Sequence, residues 1–561
     1  MLTRRPLALC ELALGAMLVL GVSLCAPFDK DQEPQSAEWI QGITERRQLL
    51  IPTDDYGAIC RKPPLYYWLS AAVADATGGT VDEARARAVS LISAVAIVLI
   101  AFSWTAEVMG ASAGFLAAAM LLGTYGFASR ATLDLTDMLL TCLLFAAWRV
   151  LYRLIEIGGA RRPTILCGAM IGLAILTKGP VAIVIPALGV AIYLALTRRS
   201  PLMPLGRGWS WAAAAIAFGI AALWYAPAAL VGGPLFIAVF LSENFGHFMP
   251  AAMGGTGEAM RPWWYIAVRM FGAAMPLSLL IPAAILRLAD ARSAKRRFLL
   301  FHASLVLAVL ILFSAASAKR DDYILPAMPP LAILFAAVFF DSDSLPCRAL
   351  APLLRDIACA IAAAAQVAIV VAALVIARRA GASNPASGLQ SADASYLALF
   401  ISGIRAQTTP FVIFEFASIL GAVTISTGIA RRRALLTGAG LALIALAGTT
   451  LFNGVLRPDL ARAQTLKFFA AEVRTKIGDA PLYGAAPGHD FELSYYYGAP
   501  VPSAAGLARL TPSDTTVHVV ARPRDLPRLT PSVRAALRPV LGSNLIGGGG
   551  PPTLYELPAR N

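Results

Sequence analysis

Long apolar runs alternate with short polar gaps along most of this chain. A helix that crosses a bilayer needs about 20 predominantly apolar residues. Runs near that length lie at 7–26, 86–107, 111–127, 138–154, 164–177, 180–197, 209–230, 264–286, 298–315, 323–340, 356–377, 409–430 and 434–453. The pattern therefore predicts a polytopic α-helical membrane protein with about thirteen transmembrane helices. The first run follows Arg4 and Arg5 as a signal peptide's would, but the many spans behind it make a retained anchor the better reading.

Two stretches are long and too polar to span. Residues 27–85, the first extramembrane loop, carry Trp39 and the run Lys62-Pro63-Pro64-Leu65-Tyr66-Tyr67-Trp68, a composition suited to helices lying in the interface. Residues 456–561 suit a small α/β extramembrane domain, with β-type runs at Thr515–Val520, Glu492–Tyr497 and Leu554–Leu557 and a helical run at Leu460–Val473. The expected organisation is a membrane domain over 1–455 and the α/β domain over 456–561. Gly547–Gly550 reads as a turn or linker, because a phosphate loop would need a following helix and Lys.

Composition agrees with a lipid environment. Of 561 residues, 58% are hydrophobic and 14% charged, against about 25% charged in soluble domains. The seven cysteines (Cys10, Cys25, Cys60, Cys142, Cys167, Cys347 and Cys359) form no CxxC pair, which argues against a metal or redox motif. The net charge of +14 sits in short gaps, such as Arg161/Arg162, Arg198/Arg199, Lys295/Arg296/Arg297 and Arg431/Arg432/Arg433. That placement anchors cytoplasmic loops and argues against a nucleic-acid partner. With the N-terminus inside, the gaps at 155–163, 198–208, 287–297, 341–355 and 431–433 are cytoplasmic and the C-terminal domain is periplasmic. The segment 378–408 fits this count least well, since it places Arg378 and Arg379 outside.

On this orientation, ionisable residues gather at one face. They are Asp29, Asp31 and Glu33 with Arg61 and Lys62; Arg130, Asp134 and Asp137; Lys178; Glu243, His247 and Arg261; and Lys319, Arg320, Asp321, Asp322 and Tyr323. Charges at helix ends often only snorkel to the interface, Asp137 could simply cap the helix that follows it, and a lone His247 is more often structural than a ligand. Snorkelling gives no reason for Lys beside Gly-Pro or Pro-Pro, so a polar cavity at the outer leaflet explains the ensemble better.

Several of these residues fall in motifs. Asp31-Gln32-Glu33-Pro34-Gln35-Ser36-Ala37-Glu38 precedes the Lys62–Trp68 run; Ser129-Arg130 precedes Asp137-Met138-Leu139-Leu140-Thr141; Leu176-Thr177-Lys178-Gly179-Pro180 follows. Next come Trp224-Tyr225, Phe240-Leu241-Ser242-Glu243-Asn244 with His247-Phe248, Pro262-Trp263-Trp264-Tyr265, and Ser317-Ala318-Lys319-Arg320 with Tyr323-Ile324-Leu325-Pro326. In this order, over about residues 20–340, they resemble the polyprenyl-phosphate-dependent glycosyltransferases. That group includes the bacterial 4-amino-4-deoxy-L-arabinose transferases acting on lipid A and the protein O-mannosyltransferases. The resemblance implies a GT-C membrane fold in the bacterial inner membrane. It further implies inverting transfer from a polyprenyl-phosphate-linked sugar to a lipid, glycan or protein acceptor at the periplasmic face. It also implies an acidic residue of the first loop at the active centre. Asp31 is the nearest match, displaced because Gln32 stands directly before Glu33; Gln35 replaces the family's Arg, and Arg61 replaces the Glu before Lys-Pro.

The chemistry is consistent with those residue types. The leaving group is a phosphate monoester, which calls for cations, and Lys62, Arg61, Lys319 and Arg320 are the candidates to bind it. An acceptor hydroxyl calls for a base, with Asp31 or Glu33 and Asp137 as the catalytic candidates; Asp29, Arg130, Lys178, Glu243, His247 and Tyr323 complete the expected site. No cofactor and no metal is demanded, although a divalent cation is compatible. The expected partners are the lipid-linked donor, its acceptor and membrane lipids, with the chain acting as a monomer. A lipid-linked-sugar transporter or flippase would instead show inverted repeats and charges at the midplane. An inactive scaffold of the same fold is the reading that Gln32, Gln35 and Arg61 keep open.

Overall fold

All thirteen apolar runs fall on helical structure. In the computed structural model, residues 4–28, 32–246, 261–290, 295–340, 345–379, 408–486, 488–503, 516–546 and 550–558 are described. The helices run α1 (Arg4–Leu20), α2 (Gln32–Thr44), α3 (Leu65–Ala76), α4 (Glu83–Met109), α5 (Ala111–Leu122), α6 (Tyr125–Ala128), α7 (Asp137–Glu156) and α8 (Arg161–Lys178). They continue as α9 (Val181–Leu196), α10 (Gly208–Phe245), α11 (Tyr265–Ala273), α12 (Ile281–Ala289), α13 (Arg296–Ala315), α14 (Met328–Ala337) and α15 (Leu345–Arg379). Helices Thr408–Ala430 and Ala434–Leu451 follow and pack as a hairpin.

Among the described residues, seven helices are long and apolar enough to cross a membrane, or eight if a bent pair counts as one span. The chain is a membrane protein. The expected spans depart from straight crossings where proline or packing intervenes. The run at 264–286 is that bent pair: Tyr265–Ala273 and Leu277–Ala289 meet at 107°. The run at 323–340 starts as a 3₁₀ turn over Asp321–Ala327 and gives only the 10-residue α14, every residue of it buried. A helix apolar on all sides is a core helix as readily as a span, and length decides between them. α10 is broken where Gly233 takes φ 57°, next to Pro234, the usual cause of a sharp kink. Of the doubtful segment 378–408, residues 380–407 lie outside the described residues.

The stretch 27–85 does form helices, α2 and α3, but their aromatic faces are buried rather than laid on a surface. Trp39, Tyr66 and Tyr67 pack with Ile40, Ile43 and Val89. Towards the C-terminus, helices Arg457–Gln464 and Lys467–Ile477 lead into a four-stranded sheet of β1 (Leu482–Gly484), β2 (Val517–Ala521), β3 (Arg538–Gly542) and β4 (Thr553–Leu557). Its order is β1-β2-β4-β3, with β1 and β2 parallel (Tyr483 opposite Val519) and the other pairs antiparallel.

The expected strands at 515–520 and 554–557 correspond to β2 and β4. The one at Glu492–Tyr497 is instead the helix Phe491–Tyr497, because the Asp490 side chain accepts from the Leu493 amide at 3.0 Å and starts a helical turn. Residues 547–549 of the glycine run lie outside the described residues. This unit docks on the first polar stretch. Tyr495 Oη donates to the Val81 carbonyl at 2.7 Å, Lys467 pairs with Glu83 at 2.6 Å, and Tyr56 Oη donates to the Val501 carbonyl at 2.9 Å.

Candidate functional site

Two chambers meet where the first polar stretch, the start of α7, the end of α8 and the end of α10 converge. One is mainly apolar, walled by Leu140, Val181, Val184, Phe245, Leu312 and Phe313. The other is mainly polar, walled by Gln32, Gln35, Ser36, Arg61, Asp134 and Arg320. Lys62, Asp137, Lys178, Glu243 and Tyr323 belong to both walls and form the junction.

The junction holds two ion pairs, Lys62 with Glu243 and Lys178 with Asp137, all four side chains largely buried. Asp137 is the first residue of α7, where a carboxylate is favoured by the helix dipole. Its side chain pairs with Lys178 and caps no backbone amide, so the capping explanation fails. Lys178 is the last residue of α8. Gly179 behind it has φ 76°, a backbone conformation that favours glycine, and it faces the Asn244 side chain of α10. The Lys178 ammonium also lies 5.7 Å from the centroid of the Tyr323 ring, which stacks on Phe313 at 4.4 Å.

In the polar chamber the pattern is different. Asp134 is fully buried, and neither carboxylate oxygen makes a well-formed hydrogen bond among the described residues, although the Ser36 and Tyr66 hydroxyls lie close enough to act on it. Trp39 Nε1, on the same wall, is buried and has no partner among the described residues. Burial, and then the charge of nearby Glu33, holds the Asp134 carboxyl well above the usual carboxylate range. Orphaned polar atoms that line a cavity need an explanation, and a bound polar ligand supplies one. Asp134 was noted in the sequence but given no role; an Asp in a short interhelical segment looks like an ordinary turn residue until its burial is known.

The remaining expected residues separate into those at the chambers and those beside them. Arg61 lines the polar chamber, as does Arg320, which donates to Gln32 Oε1. Lys319 does not line either chamber: its ammonium donates to the Arg261 carbonyl at 3.0 Å and to that of Ala316. Glu33 does not line them either. It is fully buried, binds Arg87 through both oxygens at 2.8 and 2.9 Å and accepts from the Asp134 amide at 2.8 Å, which fixes α2 against α4. Arg130 stands one step back and pairs at 2.9 Å with Asp322, a residue of the apolar wall. Asp29, Asp31 and His247 lie outside the described residues.

Nearby, buried Glu38 has its carboxyl pushed up to about 8, first by burial and then by the charge of Asp55. Among the described residues, no group of three or more His, Cys, Asp or Glu is placed to hold a metal ion.

Residues 61–224 match the family model described as dolichyl-phosphate-mannose-protein mannosyltransferase. In backbone architecture the chain is similar to ArnT from Cupriavidus metallidurans bound to undecaprenyl phosphate, with TM-score 0.75 and 17% identity, covering 99% of this chain and 98% of that one. The chain therefore shares the fold of that transferase. Among curated relatives, an undecaprenyl phosphate-alpha-4-amino-4-deoxy-L-arabinose arabinosyl transferase of Aeromonas salmonicida (strain A449) is 28% identical over 293 residues, half of each chain. One from Pseudomonas fluorescens (strain Pf0-1) is 29% identical over 178 residues, 30% of this chain and 28% of the relative. The chain thus spans half or less of the length of these curated relatives. The GT-C architecture extends through the C-terminal sheet.

Proposed function

We propose that this chain is an inverting glycosyltransferase that passes a sugar from a polyprenyl-phosphate donor to an envelope acceptor at the periplasmic face of the bacterial inner membrane. The observation that carries the reading is the junction, where two lysines stand between an apolar wall and a polar one. A lipid-linked sugar phosphate has the same division: isoprenoid tail, phosphate, sugar. The tail suits the wall of Leu312 and Phe313, the phosphate suits Lys62 and Lys178, and the sugar suits Asp134, Ser36 and Trp39.

In the step itself, the bond from the anomeric carbon to the phosphate oxygen breaks while a bond from the acceptor oxygen forms on the opposite face. The negative charge that develops on the phosphate is met by Lys62 and Lys178, with Arg61 and Arg320 on the polar side. Asp137, paired with Lys178, is the candidate to take the acceptor proton. A phosphate acceptor is already anionic, and Asp137 would then orient it instead. The names of the relatives support a 4-amino-4-deoxy-L-arabinose donor, and the sequence resemblance adds lipid A as an acceptor beside another envelope glycan or a protein hydroxyl.

Purified protein in lipid, supplied with radiolabelled polyprenyl-phosphate sugar and envelope lipid, tests this. Label should move to the acceptor, and Asp137→Asn should reduce turnover about 100-fold. Donor binding without any transfer, by wild type across the acceptor classes, would favour the inactive scaffold.

A further inference from the structure

The C-terminal sheet has a crevice of its own, of about 340 Å³. It is formed by the segments that leave the carboxyl ends of β1 and β2, the parallel pair: Ala486, His489 and Glu492 after β1, Arg522 and Arg524 after β2. In sheets with parallel strands, ligands bind outside those ends, and the volume is within the range of small-molecule sites, which begins near 300 Å³.

Three carboxylates, Asp490, Glu492 and Asp525, and two arginines, Arg522 and Arg524, line this crevice, and they are unevenly matched. Arg524 and Arg528 both approach Asp525, at 3.7 and 3.1 Å, so that buried carboxylate is neutralised. The Arg522 guanidinium makes no hydrogen bond or ion pair among the described residues, although it lies near enough to Glu492 to stabilise that carboxylate. Glu492 spends one oxygen on Thr465 Oγ1 at 3.0 Å and the Leu466 amide at 2.8 Å. Its other oxygen has no bond among the described residues. The His489 ring forms a flat wall, stacked at 3.7 Å on Tyr56 of the first polar stretch. Tyr56 precedes Arg61 and Lys62 by only a few residues, so the crevice and the polar chamber share one supporting segment.

We infer that this crevice is a second binding site, for a sugar unit that carries an anionic group, with Arg522 holding the anion and Glu492 a hydroxyl. Its use for the acceptor rests on the transfer reading above; the existence of the site does not. A guanidinium binds phosphate or carboxylate as a planar fork. A sugar's hydroxyls need both donors and acceptors, which the opposed arginine and glutamate supply. Glu492, pushed up to about 7 chiefly by burial, can serve in either sense near neutral pH.

The test uses the full chain in detergent, with binding of glucose 1-phosphate, glucose and inorganic phosphate followed by calorimetry. Glucose 1-phosphate should bind more tightly than either glucose or phosphate. Arg522→Ala should weaken it about tenfold or more, the usual cost of a charged hydrogen bond, while Arg522→Lys retains part and Lys62→Ala leaves it unchanged. A thermal midpoint equal to wild type shows that each variant is folded. Equal binding of inorganic phosphate, indifference to both Arg522→Ala and Glu492→Gln, or no binding at all would each overturn the inference. Loss on Lys62→Ala would assign the binding to the donor cleft and overturn it as well. Undecaprenyl phosphate binding, measured in parallel, reports on the transfer reading separately.

Discussion

The junction and the polar chamber share walls yet treat their polar groups in opposite ways. At the junction every lysine has a carboxylate: Lys62 has Glu243 and Lys178 has Asp137. In the chamber beyond, Asp134, Ser36 and Trp39 carry buried atoms that make no well-formed hydrogen bond among the described residues, Asp134 having only the nearby Ser36 and Tyr66 hydroxyls and no counter-ion. A buried charge without a counter-charge is too costly to keep, so a site for a charged ligand must store its cations in pairs that the ligand can enter. Neutral donors and acceptors cost less to leave unmade, so a site for hydroxyls can keep them open. On the proposed function, the junction would recognise charge and the chamber the sugar.

The comparison can be broken in several places. The largest effect is expected outside both regions, at the fully buried Glu33–Arg87 pair. Arg87→Ala should destabilise the protein by about 3–5 kcal/mol, the cost of orphaning a buried charge, read as thermal unfolding in detergent; transfer per folded molecule should change far less. Lys62→Ala comes next, with kcat/KM for transfer lower by about 100- to 1,000-fold, as when one preorganised donor to a developing anion is removed. Asp134→Asn should act mainly on the sugar end, raising KM for the lipid-linked sugar about tenfold while undecaprenyl phosphate alone binds as before. An equal loss for both ligands would merge the two regions into one. Lys319→Ala is the smallest, under about threefold in KM, because its ammonium is engaged by backbone carbonyls away from the chambers.

Sequence reading reached the helical frame because a period of 3.6 is irrelevant when a helix is apolar on every side; length and polarity alone mark it. Length and polarity do not by themselves fix the number of crossings, since α14 taken alone is shorter than a span. Lys62, Asp137, Lys178 and Glu243 were legible because a charge beside Gly-Pro, Pro-Pro or a helix start has few bland explanations. Lys319 and Arg320 are neighbours in the same segment, and only the folded chain decides which one faces the cleft. Glu33 was misread for a similar reason: nothing near it in sequence announces Arg87, 54 residues away. Asp134 gains no role from the sequence, because its significance is its burial without a counter-charge, a property that emerges only when α2, α3 and α7 are assembled. The helix at Phe491–Tyr497 was hidden by its run of tyrosines, which suit a strand equally well.

The central claim is that the paired lysines at the junction receive a lipid-borne phosphate. It is tested most directly by the dissociation constant of undecaprenyl phosphate for the purified protein, compared among wild type, Lys62→Ala, Lys178→Ala and Lys319→Ala. The account predicts that the first two substitutions each weaken binding by about tenfold or more and that Lys319→Ala binds as wild type. Equal affinity in wild type and in both junction variants, with all proteins folded, would contradict it.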